Sequence, residues 1–233
     1  MVLCGLQKLS MVDFPGKIAA TVFAGGCNLR CPFCHNALLV NRLDESPALP
    51  VEEVLDFLKK RRGLLDGVVL SGGEPLLHPG AADFLRAVRD LGFAVKLDTN
   101  GCFPAALERI LAAGLVDYVA MDVKNSREKY GLTVGVPGLD LRPIERSIDL
   151  IRSSGVDYEF RTTVVRELHT AADVAAIGHW LDGARCYALQ QFVDSGNLVA
   201  EEAGFTAHPP EALRAMADAV RPHFCQTVVR GID

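Results

Sequence analysis

Short apolar runs alternate with helical periods along most of the chain. KIAATVFAGG (17–26) is a β-branched run that ends at glycines. VEEVLDFLKKRRG (51–63) sets apolar side chains at 51, 54, 55 and 58, a helical period closed by a basic last turn and a glycine. GVVLSGGEP (67–75) reads as a short buried strand entering a glycine loop, GAADFLRAVRDLG (80–92) as a helix, and FAVKLDTNG (93–101) as a strand and turn. PAALERILAAG (104–114) begins on Pro and stops on Gly, the usual asymmetry of a helix. A strand follows in VDYVAMDVK (116–124), then a helix in PIERSIDLIRSSG (143–155) and a strand in DYEFRTTVV (157–165). TAADVAAIGHWLDG (170–183) is a helix with Thr170 as its N-cap, and RCYALQQFV (185–193) is the sixth strand. PPEALRAMADAVRPH (209–223) makes a last helix, and FCQTVVRG (224–231) adds an edge strand. No repeat, low-complexity tract or long linker interrupts the rhythm.

Six strands alternating with helices predict an α/β fold, a parallel sheet built from right-handed crossovers. The 233 residues suit one domain, with a core over about 17–193 and a C-terminal helix and edge strand over 209–231. In such sheets and barrels ligands bind at the C-terminal strand ends, and the polar motifs fall there. Cys27, Cys31 and Cys34 follow the first strand, and Ser71, Gly72, Gly73 and Glu74 the second. Asp98, Thr99 and Asn100 end the third strand, and Asp122 and Lys124 the fourth. Arg161 lies on the fifth and Gln190 and Gln191 on the sixth. Only one of two adjacent glutamines can point inward.

Composition narrows the function. Hydrophobic residues are 49% and charged residues 23%, enough for a large core. The net charge is −5 and no basic block stands out, which argues against a nucleic-acid partner. The N-terminal stretch has no long apolar region or small-residue cleavage site, and no apolar run approaches the roughly 20 residues of a membrane span. A cytoplasmic location is expected. Cys4, Cys102, Cys186 and Cys225 are scattered singly, as buried small hydrophobes in a reducing compartment tend to be.

The cluster GGCNLRCPFCHN (25–36) is different, with the spacing C-x3-C-x2-C. Thiolates are soft ligands that suit zinc or iron–sulfur clusters. A structural zinc site is closed by four protein ligands, and the fourth here would have to come from His35, awkwardly adjacent to Cys34, or from a distant cysteine. Cys31-Pro32-Phe33-Cys34 fits a disulfide exchanger, but that reading leaves Cys27 unexplained. A [4Fe–4S] cluster held by three cysteines keeps one iron open for a ligand.

The spacing, the aromatic Phe33 before the third cysteine and the strand context resemble the radical S-adenosylmethionine superfamily. DFPGK (13–17), CPFCHN (31–36), SGGEP (71–75), LDTNG (97–101) and MDVK (121–124) match, in order, the branch that activates glycyl-radical enzymes. KLSMVDFPGKIAATVF, VKLDTNG, GLVDYVAMDVK, VDYEFRTTVV and LQQF are similar to activating proteins of anaerobic ribonucleoside-triphosphate reductases, with similarity over about residues 5–193. The resemblance implies a partial (βα)6 barrel, a [4Fe–4S] cluster on Cys27, Cys31 and Cys34, and reductive cleavage of S-adenosylmethionine to methionine and a 5′-deoxyadenosyl radical. It implies a glycyl-radical enzyme as partner, expected to be the anaerobic reductase, and an electron donor such as flavodoxin or ferredoxin.

Residue by residue, the resemblance gives Gly72 and Gly73 to the methionine amino group, with Glu74 as the ammonium's polar partner. It gives Phe33 to the adenine, Lys124 to the nucleoside or carboxylate, and Asp98 to a ribose hydroxyl or a cation. In related activating proteins an Asp-Thr pair and an Asp on the next strand form a monovalent-cation site, and Asp98, Thr99 and Asp122 occupy those positions. Arg161, inside an otherwise apolar strand, is expected to meet the cofactor. Asn36 reads as a helix cap, His169 as structural, and one of Gln190 and Gln191 as facing the partner's loop. Two rival functions stand beside this one. The first is a radical enzyme acting on a small molecule, such as a carboxydeazaguanine synthase, expected to dimerise and bind Mg2+. The second is a non-enzymatic zinc module.

Overall fold

A computed structural model describes residues 1–41, 48–194, 196–200 and 203–232. The chain forms two compact units, each made of three separate stretches. Unit 1 takes Met1–Asn28, Leu38–Ala120 and Arg142–Asp157, and unit 2 takes Leu29–Ala37, Met121–Leu141 and the described part of Tyr158–Asp233.

Unit 1 holds β1 (Leu3–Ser10), β2 (Ala19–Ala24), β3 (Gly67–Gly72) and β4 (Ala94–Thr99). Strand order follows chain order, with β2, β3 and β4 parallel and β1 antiparallel to β2. Nearly every residue of β2 is buried, as expected where a parallel sheet is covered on both faces. The covering helices carry narrow apolar stripes. In α2 (Val51–Lys60) the stripe is Val54 and Leu58; in α3 (Ala81–Asp90) it is Phe84, Leu85 and Val88. α4 (Pro104–Ala112) buries Leu107 and Ile110, and α6 (Arg142–Ser153) buries Ile144, Ile148 and Ile151. Each such side chain stabilises the fold by about 1.5–3 kcal/mol. The short α1 (Ala37–Asn41) begins in unit 2 and continues in unit 1.

β5 (Tyr118–Asp122) begins in unit 1 and ends in unit 2. Unit 2 continues with the one-turn α5 (Tyr130–Thr133), β6 (Asp157–Val164), α7 (Ala171–Trp180), β7 (Ala184–Gln191), α8 (Pro210–Val220) and β8 (Phe224–Arg230). β6, β7 and β8 pair in parallel. Thr170 caps α7 as its position predicts, accepting from the Asp173 amide while the Asp173 carboxylate accepts from the Thr170 amide.

The α/β class, the parallel ladders and the edge strand at 224–230 agree with the sequence expectation. The addition is β1, which the sequence reading leaves unassigned. It is irregular, with register shifts between Leu3 and Gly5 and between Gln7 and Ser10, and Leu9 beside its end is exposed. Among the described residues no helix is long and apolar enough to cross a membrane.

Candidate active site

In unit 1 the loop leaving β2 carries Cys27, and the loop leaving β3 is laced to it through the backbone. The Gly73 amide donates to the Ala24 carbonyl and the Glu74 amide to the Gly26 carbonyl, each at 2.8 Å. This approach is close enough to require glycine. A Cβ on Gly72, whose φ is +116°, would lie 2.3 Å from the Ala24 carbonyl oxygen, and one on Gly73 would lie 2.0 Å from that of Gly26. His78 braces the same loop, with Nε2 at 2.6 Å from the Gly25 carbonyl oxygen.

Glu74 is fully buried and joins three elements. Its carboxylate accepts from the Leu76 amide at 2.9 Å, the Thr99 hydroxyl at 2.9 Å and the Asn100 amide at 2.6 Å. A buried carboxylate with that many donors is satisfied where it stands. Asn100, held by this clamp, points its amide nitrogen at Asn28 Oδ1 (2.9 Å) and at Cys27 Sγ (3.7 Å). Beneath it Asp98 accepts from Ser71 Oγ at 2.9 Å and from the buried Lys96 Nζ at 2.6 Å.

In unit 2, Cys31 and Cys34 sit on a tight turn closed by the Cys34 amide on the Cys31 carbonyl at 3.1 Å. The Val199 amide on Cys34 O and the Ala200 amide on Pro32 O fasten the turn from outside. Phe33 is buried edge-on to the His169 ring, 6.3 Å between centroids. The Val165 amide donates to His169 Nδ1, so the proton sits on Nε2 and is donated to the Lys124 carbonyl at 2.7 Å. Asp122 is flanked by two cations, Arg161 through Nε and Lys124 through Nζ at 2.9 Å. Burial opposes the Asp122 charge, but the neighbouring Arg161 and Lys124 outweigh it and hold its carboxyl well below the usual range. For Lys124 burial again opposes the charge; Asp122, then Cys31 and Cys34, overcome that and hold the ammonium above its ordinary value. Arg161 and Lys124 thus share the Asp122 carboxylate, with Lys124 also within the electrostatic reach of Cys31 and Cys34.

The radical SAM superfamily model matches residues 21–177. A Methanocaldococcus jannaschii protein provisionally named a glycyl-radical enzyme activating enzyme is 34% identical over 98% of this chain and 95% of its own length. The chain belongs to the radical SAM superfamily. Within it the chain belongs to the glycyl-radical-enzyme activating branch, as that near full-length match shows. The 7-carboxy-7-deazaguanine synthase of Hyperthermus butylicus is 33% identical over 71% of this chain and 66% of that one. Among solved structures, Streptococcus suis SuiB bound to S-adenosylmethionine superposes with a TM-score of 0.66 at 16% identity, over 90% of this chain. The chain spans about half of SuiB, 51% of its length, and the likeness is one of fold.

Radical SAM proteins use a [4Fe–4S] cluster and S-adenosylmethionine. The donor set of this radical SAM chain fits the cluster: the three thiols are soft donors outside any disulfide, and two of them lie close enough to Lys124 to raise its pKa.

The glycines at 72 and 73 admit neighbouring backbone from the Cys27 loop. Glu74 binds the β3 and β4 ends together. Phe33 packs on His169. Of the two glutamines Gln191 is buried and Gln190 exposed. Lys96, Asn100 and the bracing role of His169 are additions, and the lysine inside the apolar run of FAVKLDTNG is the one signal that could have flagged Lys96.

Two outcomes follow from this geometry. Gly73→Val should displace the Gly26 carbonyl and with it the Cys27 loop, lowering stability by about 3 kcal/mol or more in a denaturant titration. Burial, the leading influence, lowers the His169 pKa below its ordinary 6.5, although the Lys124 and Val165 backbone bonds oppose it. The unfolded chain therefore takes up the proton first. Stability from His169 is complete above pH 6.5 and falls as the pH drops below it, by at most about 1.4 kcal/mol per pH unit. His169→Gln should remove that part of the acid slope in melts collected across the range; an unchanged slope would contradict the assignment.

Proposed function

We propose that this protein generates a glycyl radical on an anaerobic ribonucleoside-triphosphate reductase, in the cytoplasm, with flavodoxin or ferredoxin as electron donor. The observation that carries the glycyl-radical part is the match to an activating protein over 98% of this chain and 95% of the relative. The choice of reductase is supported by the runs around 8–23, 115–124, 156–165 and 189–192. Seven cysteines, none in a disulfide, suit a reducing compartment.

When bound, S-adenosylmethionine supplies the oxidant that removes a hydrogen atom from the substrate. The protein's part is to hold, orient and exclude water. Cys27, Cys31 and Cys34 would carry the cluster. Gly72 and Gly73 keep the β3 loop against the Cys27 loop, and their backbone would face the methionine moiety. Asp98 would meet the ribose. Lys124 and Arg161, held side by side on Asp122, would receive the methionine carboxylate and offset the negative cluster. Gln191, buried with Oε1 unpaired, would accept an amide from the incoming glycine loop.

The test is anaerobic incubation of reduced protein with S-adenosylmethionine and a panel of glycyl-radical enzymes, read by electron paramagnetic resonance. A doublet on the reductase supports the proposal; a doublet on another enzyme alone refutes the choice of partner. The likeness to the Hyperthermus synthase favours a second reading, a radical enzyme that acts on a small molecule. Formation of a 7-carboxy-7-deazaguanine product with no glycyl signal would establish it.

A further inference from the structure

Related activating proteins are expected to place a monovalent cation at the positions of Asp98, Thr99 and Asp122. None of the three residues fits an alkali ion here. Lys96 and Asp98 share one face of β4, two residues apart. Lys96 is 2% exposed, and its ammonium lies 2.6 Å from Asp98 Oδ1. The other oxygen, Oδ2, accepts from Ser71 at 2.9 Å. A buried ammonium needs a counter-charge, and Asp98 provides it. An alkali ion reaching Asp98 would have to displace a cation tethered to the same strand and leave that cation buried without its partner. Thr99 spends its hydroxyl within unit 1, donating to Glu74 at 2.9 Å and accepting from the Gly101 amide at 3.1 Å. In unit 2, Asp122 already pairs with Arg161 and Lys124, so an added ion there would have to displace one of these tethered cations.

We infer that this protein supplies its own cations where its relatives recruit an alkali ion, and that Lys96 is the positioning residue that performs this at Asp98. Lys96 holds the Asp98 carboxylate in one rotamer together with Ser71, ready for the ribose of S-adenosylmethionine. This rests on the proposed cofactor site, although the ion pair itself does not.

The experiment compares wild type with Lys96→Met and with Lys96→Met/Asp98→Asn, in potassium, sodium and choline chloride at equal ionic strength. Two readouts are taken: the melting temperature of protein without S-adenosylmethionine, and S-adenosylmethionine affinity by anaerobic equilibrium dialysis of reconstituted protein. Wild type should be indifferent to the salt, within about twofold in affinity, while Lys96→Met should bind about tenfold more tightly in potassium or sodium than in choline. The same alkali salts should raise the melting temperature of Lys96→Met alone. The double variant, which lacks both charges, should again be indifferent. Wild-type protein that needs an alkali ion, or a folded Lys96→Met variant that ignores the salt, overturns the inference. Should Lys96→Met fail to fold, the wild-type comparison decides. Wild type that binds no S-adenosylmethionine in any salt refutes the proposed function instead, and the melting temperatures still decide this point.

Discussion

Alanine at Cys27, Cys31 or Cys34 is expected to abolish the cluster and, with it, cleavage of S-adenosylmethionine. The loss should be at least about a thousandfold, because the cofactors carry the chemistry and the protein only arranges them. Three donors hold a cubane with one iron open, so each is indispensable and none can be replaced by a neighbour. The other thiols are poor substitutes. Cys186 is buried on β7, and burial, aided by Glu159, pushes its thiol up to about 11, while Cys225 is exposed on β8. Cys102→Ala and Cys225→Ala should therefore keep wild-type iron and sulfide. Folding is a separate question, read from thermal melts. Cys31 is buried, and its truncation should lower stability by only about 1 kcal/mol. Full iron and sulfide content in any one of the three variants, after anaerobic isolation, would sink the assignment.

The thiols stand out in the sequence because ligand chemistry fixes residue type and spacing together, and the alanine variants test their role. Most strands were legible for a similar reason, since a strand buried on both faces must be apolar throughout, as Val68, Val69 and Leu70 are. β1 escaped because it obeys neither pattern. Its Gly5 closes against Phe23, with a notional Cβ 3.2 Å from that ring, and its last apolar residue, Leu9, faces outward. The polar motifs were legible as places and less so as roles. SGGEP announces a loop that something approaches closely; it does not say that the nearest visitor is the backbone of Ala24 and Gly26. Glu74 illustrates the same limit. A carboxylate beside two glycines reads as a ligand partner, and only the geometry shows three donors from β4 and its own turn already on it. Lys96 is the converse case. A charged residue within an apolar strand must have a buried partner, and that partner stands two residues away in the same motif.

Reductase deuterated at glycine Cα should pass its label to 5′-deoxyadenosine when mixed anaerobically with this protein, a reductant and S-adenosylmethionine. One Cα–D bond breaks and one C–D bond forms at the 5′ carbon, so the label in the product counts transfers directly. The reductase should gain a doublet paramagnetic signal that collapses to a narrower line on deuteration. Glycine suits the task because it lacks a side chain and adopts backbone angles that other residues avoid, so a glycine loop can enter a confined site. The resulting radical is shared between the flanking amide and carbonyl groups, which makes the transfer run downhill. Replacing the target glycine by alanine should remove both the label and the doublet, since the methyl group obstructs the approach and changes the backbone angles available. Lys124→Ala and Arg161→Ala should reduce label transfer by weakening S-adenosylmethionine binding, by about 1–3 kcal/mol each if a charged hydrogen bond is lost. Label retained in the reductase while another glycyl-radical enzyme becomes active would leave the reaction class intact and name a different partner. Label found in a small molecule, with no glycyl signal on any protein, would transfer the function to the small-molecule reading.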